Sequence, residues 1–151
     1  MYQKILVPLD GSEFSESIIE HVKAVAAGCS VPDVILFTAI EPLRLQDYPV
    51  DDKWLQKLQK EGMATAKSYL ASVAEKLKMA GISAQPVVVE DMPAEAIMDY
   101  ATKNRVDLII MSTHGRSGVS RWVFGSVADK VIRSSTIPVL AAPPPALARK
   151  K

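Results

Sequence analysis

Five largely apolar runs punctuate the chain, at positions 5–9, 34–40, 84–89, 106–111 and 137–141. In the first, Ile5-Leu6-Val7-Pro8-Leu9, hydrophobicity is continuous rather than alternating, which predicts a strand covered on both faces, as in a parallel sheet. Pro86 places the third run near a sheet edge, because proline cannot donate to a ladder. Between the runs the apolar positions recur at helical spacing. Ile18, Ile19, Val22 and Val25 follow Glu13 and Glu16, acids that suit a first helical turn, and Gly28 is the expected stop. Residues 41–52, with Pro42 and Pro49, read as a surface loop. A long helix is predicted over 53–79 through Trp54, Leu58, Ala66, Leu70, Val73 and Leu77, ended by Gly81. Gly62 lies inside it and costs about 1 kcal/mol against alanine, so a bend or a split is expected there. Pro93 and Glu95 open a helix carrying Ile97, Tyr100 and Ala101, and Val127, Ala128, Val131 and Ile132 mark the last one. Strands alternating with helices predict an α/β fold with a parallel, doubly wound sheet joined by right-handed crossovers. Residues 1–142 read as a single domain, and 143–151, proline-rich and then basic, as a disordered tail.

Composition narrows the functional classes. The 151 residues are 48% hydrophobic and 23% charged, with a formal net charge of +1. A nucleic-acid binder working through bulk electrostatics carries a basic stripe and a high pI, so that class is disfavoured. A single cysteine, Cys29, excludes an internal disulfide and suits a reducing compartment. Met1-Tyr2-Gln3-Lys4 shows no signal-peptide organisation and no apolar run reaches the length of a membrane span. The expectation is a soluble cytoplasmic protein that contacts neither nucleic acid nor membrane.

Ligands of open α/β sheets bind outside the carboxyl ends of the strands. Two segments expected there are unusual. One is Pro8-Leu9-Asp10-Gly11-Ser12; the other is Ser112-Thr113-His114-Gly115-Arg116-Ser117-Gly118, continuing to Gly125-Ser126. Gly115 and Gly118 let backbone approach an anion, and Gly125-Ser126 opens a helix whose free N–H groups favour negative charge. Ser112, Thr113, Ser117 and Ser126 add hydroxyls; Arg116 and Arg121 add positive charge. The bland alternative is a solvated loop with a glycine start to its helix. A Walker A loop is ruled out, since no Gly-Lys pair occurs, and a dinucleotide fingerprint needs three spaced glycines where only Gly11 stands. Asp10 reads either as a ligand contact or as a turn carboxylate. His114 has no visible base–orienter partners, so its expected role is to shape the loop. His21 reads as a helix-surface residue. Cys29, at a helix C-terminus that works against a thiolate, reads as structural. Trp122 and Phe124 border the loop as ligand clamps or, more in keeping with aromatics generally, as core or interface packing.

From Lys4 to Ala141 the chain resembles the universal stress protein family. Its ATP-binding members carry Gly, two residues, Gly, nine residues, then Gly and Ser or Thr. Gly115, the nine residues 116–124 and Gly125-Ser126 match the later part; Ser112 stands at the first glycine position. The opening Lys4-Ile5-Leu6-Val7-Pro8-Leu9-Asp10-Gly11-Ser12 and the closing Ile137-Pro138-Val139-Leu140 carry the rest of the resemblance. It implies a five-stranded sheet in order 3-2-1-4-5, a Rossmann-like, adenine-nucleotide-alpha-hydrolase-like fold. It also implies roles: Pro8, Leu9 and Asp10 at the adenine and ribose end, Ala39 against the base, Met111 and Ser112 under the ribose. Gly115, Gly125, Ser126 and Val127 would hold phosphates, with His114, Arg116 and Gly118 in the same loop. A second departure lies at Asp91-Met92-Pro93, where many relatives have glycine near position 91.

The implied function is a homodimeric ATP-binding regulatory module of the stress response, paired through the fifth strand at 137–141 and read by a protein partner. An apolar edge strand invites such pairing. Two alternatives stay open. One is a slow ATPase or phosphotransfer protein, with Asp10 and Ser126 as the candidate Mg²⁺ contacts and at most weak hydrolysis. The other is a dimeric interaction module that takes AMP or cyclic AMP instead of ATP.

Overall fold

The structure is a computed structural model that describes residues 1–115 and 124–145. Five strands form one sheet: β1 (Lys4–Pro8), β2 (Asp33–Ile40), β3 (Ala84–Glu90), β4 (Leu108–Ser112) and β5 (Val139–Ala142). Their order is β3-β2-β1-β4-β5 and every pairing is parallel. The helices are α1 (Glu13–Glu16), α2 (Ile19–Cys29), α3 (Asp52–Met79), α4 (Pro93–Lys103) and α5 (Ser126–Ser134), with a short 3-10 turn at Leu45–Asp47 inside the predicted loop.

The continuous apolar runs have the expected cause. Alternate residues of each strand enter two separate cores, one per face of the sheet. Ile5, Val7, Val34, Leu36, Leu108 and Ile110 pack under α2 and α3, against Val22, Leu70, Val73 and Leu77. Leu6, Ile35, Phe37, Ile109 and Met111 face the other way, against Ile97, Ala101, Ala128 and Val131 of α4 and α5. Pro86 sits on edge strand β3, which pairs only with β2.

Several boundaries depart from the sequence pattern. The single helix expected after Asp10 is divided into α1 and α2. Ser17 Oγ donates to Phe14 O at 2.6 Å and Ser15 Oγ to Ser12 O at 3.1 Å, and Ile18 N–H reaches Ser15 O, three residues back. Serine hydroxyls that compete for local carbonyls tighten the turn in this way. Gly28 does not end α2; the helix continues to Cys29, and Ser30 takes the left-handed position with φ 51°. Gly62 neither bends nor splits α3, whose 28 residues run unbroken. A Cβ there would meet only Ile40 Cγ2 at 3.9 Å. Asp51 caps this helix, accepting from Trp54 N–H at 2.8 Å.

β4 starts at Leu108, two residues after the predicted Val106, because Asp107 serves as a clamp. Its Oδ2 accepts from the N–H groups of Gln3 and Lys4, each at 2.8 Å, while its own N–H donates to Lys4 O. These two backbone N–H bonds hold the Asp107 carboxyl below its ordinary value of 3.8. A lowered folded-state pKa stabilises above the unfolded value and is lost as pH falls through the folded one. Urea denaturation is therefore expected to show wild type losing stability below about pH 4, a loss that Asp107→Ala reduces while being less stable at pH 7. An acid limb identical in both proteins refutes the clamp.

Candidate functional site

β1, β2 and β4 all end on one side of the sheet, where the strand order reverses between β1 and β4. That is where open α/β sheets leave a crevice. A cavity of about 400 Å³ opens there, within the range of small-molecule sites.

One wall is polar and built from the two chain segments after β1 and β4. Gly11, with φ 84°, turns the chain sharply after Asp10, a conformation that glycine adopts without steric cost. Ser12 N–H then donates to Asp10 Oδ1 at 2.9 Å, and Asp10 N–H donates to Ser15 Oγ at 3.2 Å. Across the crevice, Gly115 lies so close that a Cβ on it would overlap Asp10 Oδ2. Gly125 N–H donates to Thr113 O at 2.8 Å, which folds the end of the β4 loop back onto its start. A Cβ at Gly125 would stand 3.3 Å from Thr113 O, so close packing asks for glycine here too. Gly125 is the N-cap of α5 and makes no side-chain cap; the first helical bond is Asp129 N–H to Gly125 O. The N–H groups of Ser126, Val127 and Ala128 precede that bond, and all three residues line the cavity.

The opposite end is apolar. Phe37 and Ala39 from β2, Ile97 from α4, and Met111 from β4 form it, with Pro93 at its margin. Thr38 ties the two ends together: its buried hydroxyl donates to Leu9 O at 2.8 Å, and Leu9 N–H donates to Phe37 O at 2.8 Å. A cavity with one apolar end and one rich in backbone N–H groups suits a ligand that is flat and apolar at one end and anionic at the other. The charged side chains among the described lining residues are Asp10 and Glu41, both acidic. Among the described residues, positive potential there comes from the α5 terminus.

Of the residues singled out in the sequence, Pro8, Leu9, Asp10, Ala39, Met111, Ser112, His114, Gly115, Gly125, Ser126 and Val127 all line this cavity. Arg116 and Gly118 lie outside the described residues, as do Ser117, Arg121 and Trp122. His114 is 4% exposed, with Nδ1 paired to Thr113 Oγ1 at 2.8 Å and its N–H on Ser112 Oγ at 3.3 Å. Phe124 is half-exposed and so is not a core residue, and His21 lies on the exposed face of α2. Ser112 is buried in β4 and holds the next turn through its hydroxyl, a bond that a glycine lacks.

Sequence reading placed Thr113 in this loop but missed Ser15, Phe37, Thr38, Pro93 and Ile97 as lining residues. Thr38 and Phe37 sit beside Ala39 on the same strand end, and that adjacency was the available signal. Pro93 belongs to the divergent 91–93 segment, which the structure brings to the cavity wall while Asp91 N–H donates to Ile40 O.

The model of the family described as "Universal stress protein family" matches residues 1–143. The chain belongs to the universal stress protein family. The universal stress protein MJ0531 of Methanocaldococcus jannaschii is 30% identical over 147 residues, covering 96% of this chain and 84% of that one. The solved structure of MJ0577 from the same organism superposes with a TM-score of 0.83 at 31% identity, covering 95% and 96% of the two chains. A universal stress protein solved in complex with cAMP superposes with a TM-score of 0.70 at 24% identity, covering 95% and 98%. In this universal stress protein, as the strand order shows, the sheet is Rossmann-like, and the cavity lies at its topological switch point. No helix among the described residues is long and apolar enough to cross a membrane.

Proposed function

We propose that this protein binds ATP in the crevice between β1 and β4 and acts as a homodimeric, nucleotide-responsive regulatory module of the cytoplasmic stress response. One observation carries the reading. The cavity joins an apolar end at Phe37, Ala39 and Ile97 to the uncapped N-terminus of α5 at Ser126 and Val127. Adenine fits the first end by shape and burial, and phosphates fit the second by backbone N–H groups and dipole. The binding of cAMP by a relative of the same fold is consistent with an adenine-nucleotide ligand. Gly115 and Gly125 leave backbone bare on the phosphate side, and Asp10 faces Gly115.

Mg²⁺ fits this arrangement as a companion of the phosphates. Asp10 and Ser126 both line the cavity and offer hard oxygen donors. No group of three His, Cys, Asp or Glu side chains among the described residues forms a metal cage. Such a cation keeps several waters and takes its remaining ligands from phosphate, which is how Mg²⁺ usually binds. It would offset the acidic pair Asp10 and Glu41.

A bound nucleotide shifts a conformational equilibrium only through different affinity for the two states, and the protein partner reads that shift. In this reading the dimer forms through 137–141, where Val139, Leu140 and Ala141 of β5 are half-buried and, among the described residues, β5 pairs with β4 alone.

The test is to identify nucleotide released from the purified protein and to titrate the stripped protein with ATP, AMP and cyclic AMP by calorimetry. ATP is expected to bind most tightly, to weaken on adding EDTA, and to do so on a particle of twice the 16.4 kDa chain mass. No heat with any of the three nucleotides overturns the nucleotide reading. A monomer that binds ATP overturns only the β5 assignment.

A further inference from the structure

We infer that Ser15, through α1, is the residue that positions Asp10 for ligand binding. This rests on the nucleotide reading above and goes beyond it by naming what holds the acidic side of the site.

Asp10 stands two residues beyond Pro8, the last residue of β1, and precedes a glycine with φ 84°, so it lies outside the strand pairing. Among the described residues, a ring of bonds ties its backbone and its carboxylate to the start of α1. Ser15 Oγ accepts from Asp10 N–H at 3.2 Å and donates to Ser12 O at 3.1 Å. Ser12 Oγ in turn accepts from Ser15 N–H at 3.1 Å, and Ser12 N–H donates to Asp10 Oδ1 at 2.9 Å. Ser15 is 6% exposed and lines the cavity, yet both bonds its hydroxyl makes are spent on backbone. It is thus a support for Asp10 rather than a ligand contact. A short polar side chain held inside a functional cavity by backbone bonds is the usual form of such support.

A four-residue helix has no stability of its own, since nucleation is unfavourable. α1 is held from outside. Glu16 accepts from Tyr69 Oη at 2.8 Å and from Lys76 Nζ at 3.2 Å, both on α3. Burial raises the Tyr69 phenol pKa first and the Glu16 bond second, so the phenol remains a donor across the neutral range. Ile18, 1% exposed, anchors the other end in the core. Asp10 is therefore held at one side by α1 and met at the other by the bare Cα of Gly115.

The experiment is a double-mutant cycle in the full-length protein, reading ATP affinity by calorimetry and stability by urea midpoint. Ser15→Ala removes the acceptor; Ser15→Cys keeps the volume with a weak acceptor and serves should the alanine variant misfold. In the wild-type background each is expected to weaken ATP binding about fivefold, a loss of one neutral hydrogen bond. In an Asp10→Ala background the same changes should shift affinity by less than about twofold, because positioning acts only through Asp10. The fall in urea midpoint should be alike in both backgrounds. Equal losses of affinity with and without Asp10, or no loss in either, overturn the assignment while nucleotide binding by wild type stands. Absence of ATP binding by wild type overturns both readings together.

Discussion

Gly125→Val is expected to lower ATP affinity on the order of a hundredfold, about 2.7 kcal/mol, while the protein stays folded. A first added carbon would already lie 3.3 Å from Thr113 O and 3.7 Å from His114 Cα. Those are backbone atoms, so no side chain can turn aside to make room. Valine adds two further carbons. The loop must then separate from the α5 terminus, and the Gly125 N–H to Thr113 O bond that closes it lengthens or breaks. That displaces the N–H groups of Ser126 and Val127 from any phosphate position by a fraction of an ångström or more. Charge-assisted bonds lose strength quickly with distance and angle. The fold should survive, because Gly125 has φ −56° and ψ 150°, a conformation open to any residue, and it stands at the edge of the crevice rather than in either core. Calorimetry with ATP, beside circular dichroism, checks both halves. Gly115→Ala is the companion: its Cβ would overlap Asp10 Oδ2 and push that carboxylate off its bond with Ser12 N–H, so a loss of ATP affinity is expected there too. Unchanged ATP affinity in Gly125→Val would remove the α5 terminus from the site.

Much of the architecture was legible because each strand packs on both faces. Continuous apolar runs such as Val34 to Phe37 leave few other interpretations, and residues 35 and 37 go to one core while 34 and 36 go to the other. The sheet order came from family resemblance and not from periodicity, since apolar runs do not say which strand lies beside which. What stayed hidden depends on contacts far apart in sequence. Thr38 reaches Leu9 across 29 residues and Glu16 reaches Tyr69 across 53, and neither spacing leaves a local pattern. The break between α1 and α2 was hidden for a different reason. Serine is compatible with a helix by composition, and only the bonds of Ser15 and Ser17 to backbone carbonyls show that the turn tightens. At the site, glycine spacing pointed to the loop after β4. Ser15 and Ile97 carry no such mark, and they enter because α1 and α4 are brought to the strand ends by packing.

Phe37→Ala is expected to cost about 3–5 kcal/mol of stability, a large share of what a domain of this size has. Phe37 is 1% exposed in β2, the strand between β1 and the edge strand β3. Its ring packs against Tyr100 of α4, centroids 5.1 Å apart and planes tilted by 46°, an arrangement that adds about 0.5–1.5 kcal/mol beyond area burial. Its carbonyl also receives the Leu9 N–H that sets the end of β1 beside β2. Backbone bonds survive truncation, but the void left by the ring lies directly beneath the apolar end of the cavity. Phe37→Leu refills most of that volume and should recover more than half of the loss. Equilibrium urea denaturation of the three proteins reads this order directly. The same variants separate two ideas about the crevice. If the floor of the site is the core itself, ATP affinity should fall in step with stability, with alanine worst and leucine intermediate. If affinity holds in Phe37→Ala while stability drops, the base end is set by Ala39, Ile97 and Met111 alone, and the core supports the site without shaping it.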